Sequence, residues 1–533
     1  MSTVHPSVVL TDVSFAWPDG RPVLRGLTAS FGAGRTGLIG DNGTGKSTLL
    51  ALISGALTPD HGVIDVDGRV GLLPQQLVLD TAATVADLLG VRPQLDALRA
   101  IESGDADPVH FETLADRWDV EAQARAVLDA LGLESVGLDR PVGALSGGET
   151  VLTALAGLRA AGDDVVLLDE PTNNLDRPAR HALYDMLEHW PGALIVVSHD
   201  VALLDRMDET AELRAGALTV FGGPYSEYRA HLDAEQAAAE QALRTAEQRL
   251  KVEKRQRIEA QTKLARRERT ARKDFENKRR PKIAMNLRKG DAQVSAGKLR
   301  GELDDKVDAA RDAVRVQAER IRKDAGIRIE LPDPAVPAGR RLAEFGDGAG
   351  TSIVVRGPER IALTGRNGIG KTRLLESLIH AGKAAPGDLS GTALTDRIGY
   401  LPQRLDHLDD TASIVDVVAA AASRTAPDEL RARLAQFGFR GDAIHRSVGD
   451  VSGGERFRVA LAGLLLADPP HQLVVFDEPT NNLDLASVDA LAGALDAYRG
   501  AILVVSHDDA FLNRLRIGTR LTLDEDGLRV VRE

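Results

Sequence analysis

The sequence predicts an α/β protein of two tandem domains of one kind, joined by an antiparallel α-helical hairpin. Three observations carry this. Long motifs recur in the same order several hundred residues apart; the recurring segments alternate apolar strand-like runs with helical patterns; and between the copies Ala, Gln, Glu, Lys and Arg replace the Gly-rich pattern. On this reading residues 1–224 form the first domain, 225–325 the linker and 326–533 the second domain.

The repeat is specific. Gly40-Asp41-Asn42-Gly43-Thr44-Gly45-Lys46-Ser47 returns as Gly365-Arg366-Asn367-Gly368-Ile369-Gly370-Lys371-Thr372, at an offset of 325. Gln75, after Leu72-Leu73-Pro74, returns as Gln403 after Tyr400-Leu401-Pro402, and Ser146-Gly147-Gly148-Glu149 as Ser452-Gly453-Gly454-Glu455. Asp169 through Asp176 matches Asp477 through Asp484, and Ser198-His199-Asp200 matches Ser506-His507-Asp508. The first half carries 22 additional residues between its glutamine and Ser146. So long a period marks a duplicated domain; solenoid repeats run to tens of residues.

Composition bounds the function. A chain of 533 residues with 43% hydrophobic content folds into more than one core, while 4% aromatic residues supply few rings for stacking on bases. The absence of cysteine excludes a disulfide framework, a thiolate metal site and a cysteine nucleophile. No apolar run reaches the ~18 to 20 residues that span a bilayer, and the N-terminus does not read as a signal peptide, so a cytoplasmic location is expected.

Each GxxxxGK[S/T] run follows an apolar stretch, Thr36-Gly37-Leu38-Ile39 or Arg360 to Thr364, and precedes a helical pattern starting at Leu49 or Leu374. Strand, glycine loop and helix in that order are the phosphate-binding P-loop. Backbone N–H groups converge on phosphate, Lys46 or Lys371 supplies charge, and Ser47 or Thr372 can ligate Mg²⁺. One such loop alone is weak testimony; two in register with four other motifs point to ATP. The runs Val165 to Leu168 and Leu473 to Phe476 read as buried strands ending in Asp169-Glu170 and Asp477-Glu478. The aspartate can hold the Mg²⁺ shell and the glutamate can orient or deprotonate the attacking water. His199 and His507, each after a β-rich run, fit a γ-phosphate contact, and Gln75 and Gln403 could sense Mg²⁺ or water.

The Ser-Gly-Gly-Glu runs go beyond what an ordinary P-loop ATPase needs, and with them the chain resembles the ATP-binding-cassette family. The resemblance implies two tandem ABC-type P-loop ATPase domains with two composite sites. Lys46, Glu170 and His199 would face Ser452 to Glu455, and Lys371, Glu478 and His507 would face Ser146 to Glu149, with ATP joining the halves. It also places Asp176 and Asp484 at the interface and Trp17 against adenine. Thr48 completes the first P-loop, where the second has Arg373. Phe345 is the nearest aromatic upstream of Gly365, a poorer counterpart to Trp17 because it lies closer to the loop.

The linker changes the functional question. Leu299, Leu303, Val307, Ala310, Val314, Ala318 and Ile321 step by fours and threes, and Leu232, Ala239, Leu243 and Leu250 give a matching stripe on the outgoing arm. Arms of about 35 to 50 residues would reach on the order of 50 to 75 Å. The net charge of −13 is segregated: residues 244–300 hold 20 Lys or Arg against 7 Asp or Glu. The stretch 277–290 contains no acid and is expected to interrupt the heptads as a tip. Its Lys278, Arg279, Arg280, Lys282, Arg288 and Lys289 fit backbone-directed RNA binding, since clustered cations gain affinity by releasing counterions from phosphate.

Two cassettes in one chain, the basic linker and the paired Glu-Pro-Thr-Asn-Asn-Leu-Asp runs resemble the ABC-F proteins over nearly the whole length, with Asn174 and Asn482 where that family often has histidine. The resemblance implies an ATP- and Mg²⁺-dependent monomer, its cassettes paired within one chain, that binds the ribosome and points its linker toward rRNA and peptidyl-tRNA. Its role would be translation factor or antibiotic-resistance ribosomal protection. The 22-residue surplus looks short for the family's inserted arm, and no C-terminal nucleic-acid-binding extension is expected after Glu533. The rival reading is the ATP-binding subunit of a drug or macrolide efflux transporter working with separate membrane proteins; a DNA-repair scaffold is a weaker rival, because this hairpin is short.

Overall fold

The computed structural model describes residues 8–75, 83–173, 175–276, 282–320, 331–346, 352–380, 389–481 and 483–531, with backbone alone at 268, 271–272, 274–276 and 282–296. The strands of the first half are β1 (Val8–Ala16), β2 (Pro22–Phe31), β3 (Arg35–Ile39), β4 (His61–Val66), β5 (Val70–Leu73), β6 (Val165–Asp169), β7 (Ala193–Val197), β8 (Glu209–Arg214) and β9 (Ala217–Phe221). Those of the second are β10 (Arg341–Gly346), β11 (Ser352–Arg356), β12 (Arg360–Thr364), β13 (Ser390–Ala393), β14 (Ile398–Leu401), β15 (Leu473–Asp477), β16 (Ala501–Val505), β17 (Thr519–Asp524) and β18 (Gly527–Val531).

Each half holds a six-stranded sheet, in the order β5-β6-β7-β3-β8-β9 or β14-β15-β16-β12-β17-β18, and a three-stranded antiparallel sheet, β2-β1-β4 or β11-β10-β13. All pairs of the large sheets are parallel except β8–β9 and β17–β18. Every residue of β6, β7, β15 and β16 is buried, because a parallel sheet covered on both faces needs unbroken apolar runs. The strand period then divides them. Val165 and Leu167 enter one apolar cluster and Val166 and Leu168 another; Leu473 and Val475 separate from Val474 and Phe476 in the same way. Among the described residues none of the four clusters mixes the two domains, so each domain owns its core.

The 22-residue surplus is helical. Between Gln75 and Ser146 lie the helices Val85–Leu88, Arg92–Glu102, Pro108–Leu114 and Val120–Ala130, where the second domain has Ile414–Ala421 and Pro427–Gln436 and two short 3-10 turns.

The linker is a hairpin of helices Tyr225–Glu276, 52 residues, and Lys282–Arg320, 39 residues, or about 78 and 59 Å at ~1.5 Å per residue. Chain contacts divide the molecule into a unit of Met1–Ser226 with Gly326–Glu533 and a unit of Glu227–Ala325. Arg257 Nη1 meets Asp304 Oδ1 at 3.2 Å, pairing the arms in antiparallel register. Val307 and Ala310 are buried, and Leu303, Val314, Leu232, Ala239, Leu243 and Leu250 are half-buried. Leu299 and Ala318 are exposed and leave the stripe; Ile321 lies outside the described residues. The expected tip also shortens: helix resumes at Lys282 and runs through Gly290, so Lys282, Arg288 and Lys289 are helical. The residues after Pro281 include Ala284, Met285, Leu287, Arg288 and Lys289, good helix formers, and proline is tolerated where a helix begins. Lys278, Arg279 and Arg280 lie outside the described residues.

Candidate nucleotide sites

The carboxyl ends of β3, β6 and β7 bring the first set of motifs together. Leu38 pairs with Val197 and Asp169 with Val197, so the loop at Gly40, the Asp169-Glu170 pair and His199 leave three adjacent parallel strands at one edge. The register Leu363↔Val505 and Asp477↔Val505 repeats this around Gly365, Glu478 and His507. Open α/β sheets bind ligands at this edge.

The loop conformation requires glycine. A Cβ on Gly40 (φ 150°) would stand 2.4 Å from the Leu213 carbonyl oxygen, and one on Gly365 (φ 153°) 2.4 Å from that of Leu523. Gly45 and Gly370 start the helices Lys46–Ile53 and Lys371–Ile379 with no side-chain cap, which leaves the first helical N–H groups for an anion. Lys46 Nζ donates to the carbonyls of Gly40 at 2.6 Å and Asp41 at 3.1 Å; Lys371 Nζ donates to Gly365 and Arg366 at the same distances. Burial lowers the pKa of both lysines, a strain that a phosphate charge would relieve.

Glu170 (φ 51°) and Glu478 (φ 48°) hold left-handed backbone, pinned by their N–H groups donating to Val197 O at 2.8 Å and Val505 O at 2.9 Å. Such strain, about 1–3 kcal/mol, persists where the surroundings over-determine it, as at functional sites. Burial pushes Glu170 up to about 8 and Glu478 up to about 7, against the pull of Lys46 and Lys371. Values near neutrality suit a general base. Burial lowers His199 to about 3 and His507 to about 4, so both imidazoles are neutral. His199 Nε2 lies 3.2 Å from Glu170 Oε1 and His507 Nε2 3.4 Å from Glu478 Oε1; His507 Nε2 also accepts from Lys371 Nζ at 3.1 Å.

Asp169 carries a buried Oδ1 without a partner, and Ser47 donates to the same carboxylate. Thr372 Oγ1 donates to Asp477 Oδ2 at 2.8 Å, and Tyr400, which stands where Leu72 does in the first domain, also bonds Asp477. These hard oxygen donors beside a phosphate loop fit Mg²⁺, which takes one or two protein oxygens and completes its shell with phosphate and water. Gln75 and Gln403 are exposed on the loops after β5 and β14.

The halves meet at the first site. A cavity of 840 Å³ is lined by Trp17, Asn42 to Thr48, Gln75, Asp169, Glu170 and His199, with Gly453 entering from the second domain. Trp17 is 42% exposed there, held edge-on by Phe15 at 5.3 Å between ring centroids. Asn42 N donates to Asp484 Oδ2 at 2.9 Å; the mirror contact, Asn367 N to Asp176 Oδ2, is 3.5 Å. Burial pushes Asp484 up, yet the N–H groups of Asn42 and Ser487 hold it below the usual carboxylate range.

Two expectations shift. Phe345 is 1% exposed inside the apolar core of the second domain and cannot stack on a base; it lies within strand β10 with its ring inward, whereas Trp17 follows the end of β1. Glu149 and Glu455 turn back on their own helices. Ser146 N donates to Glu149 Oε2 at 2.6 Å and Ser452 N to Glu455 Oε2 at 3.0 Å, while each serine Oγ accepts from the glutamate N–H at 3.3 Å. That capping box, readable from Ser-x-x-Glu, holds Ser146, Gly147 and Gly148, or Ser452, Gly453 and Gly454, at a helix N-terminus. Arg21 and Arg25, which line the first cavity, carry no motif and escaped the sequence reading. Asn174 and Asn482 lie outside the described residues.

Comparison with known proteins gives the family and the fold. The ABC transporter family profile matches residues 24–173 and 350–481. A tylosin resistance ATP-binding protein of Streptomyces fradiae is 32% identical over 95% of this chain and 95% of its own length. An energy-dependent translational throttle protein of Mycobacterium tuberculosis is 28% identical over 92% of this chain and 87% of its own. An archaeal ribosome recycling factor, solved with a ribosomal stalk protein, superposes with a TM-score of 0.55 at 20% identity, covering 97% of this chain and 89% of its own; that likeness speaks for the fold.

Proposed function

The chain belongs to the ABC transporter family, as a tandem-cassette ATPase of the ABC-F type, and from that premise we propose that it works on the ribosome, as a translation factor or a protector against ribosome-targeting antibiotics. The observation that carries this reading is a strongly basic helical hairpin set between two cassettes that together line one ATP cavity. Two relatives matched over most of their length bear names from translation or tylosin resistance. No described helix is long and apolar enough to cross a membrane.

In this reading the P-loop N–H groups and Lys46 or Lys371 bind the phosphates, and Trp17 stacks on adenine in the first site. Glu170 or Glu478 takes the proton of the attacking water, and neutral His199 or His507 contacts the γ-phosphate. Ser47 with Asp169, and Thr372 with Asp477, would hold Mg²⁺, which supplies charge neutralisation on the β- and γ-phosphates. Ser452 to Gly454 close the first site and Ser146 to Gly148 the second. ATP binding then selects a closed pair of cassettes and hydrolysis releases it, a population shift. Separate apolar cores suit this, since opening exposes mainly polar contacts. The chain acts as a cytoplasmic monomer, and Lys278, Arg279, Arg280, Lys282, Arg288 and Lys289 meet rRNA or tRNA phosphates.

The test is trapping. Glu170→Gln with Glu478→Gln lowers turnover by about 10²- to 10⁴-fold and holds the protein on ribosomes with ATP. Charge reversal from Arg279 to Lys289 weakens that association, most at low salt, and flattens its dependence on salt. A double variant that never cosediments with ribosomes, or a native protein that drives drug efflux in membrane vesicles with a partner permease, overturns the proposal.

A further inference from the structure

The motif alignment sets Asp176-Arg177-Pro178-Ala179-Arg180 against Asp484-Leu485-Ala486-Ser487-Val488. The first cassette thus carries two cations on its helix Arg177–Glu188 where the second has Leu485 and a buried Val488. Both cations reach the second site. Arg180 Nη1 lies 3.4 Å from Asp200 Oδ2 of its own cassette and 3.5 Å from the carbonyl oxygen of His507 in the other. Arg177 Nε donates to Asp509 Oδ2 at 3.0 Å, and Arg520 Nη1 reaches the other oxygen of Asp509 at 3.4 Å.

The near end of this bridge is rigid. Asp200 follows His199, and its Oδ1 accepts from Ala202 N at 2.9 Å and Leu203 N at 3.2 Å. Its Oδ2 accepts from Tyr184 O–H at 2.5 Å, and the Tyr184 ring is covered by Arg206 at 4.5 Å. Arg180 and Asp200 side chains are 12% and 9% exposed, so their attraction is little screened by solvent. The charge of Arg180 is also felt by Glu478 and His507.

We infer that Arg180, seconded by Arg177, is a positioning residue acting in one direction: the cassette that holds the first site fixes the His507–Asp509 turn of the second, and among the described residues no equivalent tie runs back. The second site assembles its His507–Glu478 pair only when the cassettes are docked, whereas the first does not wait on a cation from across the interface. The inference rests on the reading that Glu478 and His507 turn over ATP.

Single-site proteins test it. Glu170→Gln leaves the second site active and Glu478→Gln leaves the first; Arg180→Val, which copies the residue at Val488, is added to each. The expected result is a drop of about tenfold or more in kcat of the second-site protein with little change in KM, because small misplacement of a reacting group is costly. The first-site protein should change by less than about twofold, and Arg180→Lys should recover part of the loss. Arg180 sits on the first cassette, so simple misfolding would lower the first site as well, and a thermal melt of each variant checks this. Equal losses at both sites, a loss confined to the first, or no loss overturns the inference. If Glu170→Gln with Arg180 intact is inactive, the hydrolytic reading of the second site fails instead. The clamp is then judged by release of a fluorescent ATP analogue from the Glu170→Gln, Glu478→Gln protein: Arg180→Val should speed one of two release phases, and unchanged release overturns it.

Discussion

The two cassettes agree within each domain and differ at what crosses between them. Lys46 and Lys371 make the same two bonds at the same distances, Gly40 and Gly365 sit equally close to a carbonyl of the next strand, and Glu170 and Glu478 share one strained conformation. Across the interface the first site gains a 2.9 Å bond from Asn42 to Asp484 and shares a cavity with Gly453. The second has a longer Asn367–Asp176 contact and the Arg177–Asp509 and Arg180–His507 ties; Tyr400 on Asp477 is a difference within its own domain. The lesson is that duplication preserved what one sheet edge fixes, while groups supplied by the opposite cassette diverged.

The largest expected effect tests the shared part. Gly40→Ala and Gly365→Ala each force a side chain onto a backbone oxygen in a conformation reserved for glycine, and ATP turnover at the altered site should fall by roughly 10- to 100-fold. Turnover assays on single-site proteins that find one substitution harmless would break the equivalence of the loops.

The interface contacts give the next effect. Asp484→Ala removes a charge-assisted bond to Asn42 and a helix cap at Ser487, so ATP affinity at the first site should drop by about tenfold or more. Asp176→Ala, with its 3.5 Å contact, should cost the second site less. Titration with a fluorescent nucleotide decides; equal losses would mean the distances do not rank the contacts.

The smallest effect compares the glutamates. Both have raised pKa values, so each adds stability below the unfolded value near 4.5 and loses it as pH rises through the folded value. Without nucleotide, the melting temperature of the native protein relative to Glu170→Gln should fall from about pH 4.5 to about 8. Relative to Glu478→Gln the fall should end nearer pH 7. A melting curve series across that range in which the two differences level off together would erase the distinction.

The sequence alone determined the duplication, the strand–loop–helix motifs, the Asp-Glu pairs, the histidines and the basic hairpin. These are local properties: a loop that needs glycine, a strand that must be apolar on both faces and a helix with a heptad stripe each write their requirement into a few adjacent residues. The Ser-x-x-Glu capping box was equally local, and the structure turns Glu149 and Glu455 onto their own serines. Only the tertiary structure decided that Phe345 is core, that the heptad stripe ends before Leu299 and Ala318, and that Asn42 meets Asp484 across 442 residues of chain. It alone brought Arg180 to His507, 327 residues away. Such contacts follow from how two finished domains dock, and docking depends on the shape and charge of whole surfaces, which no short run of sequence encodes.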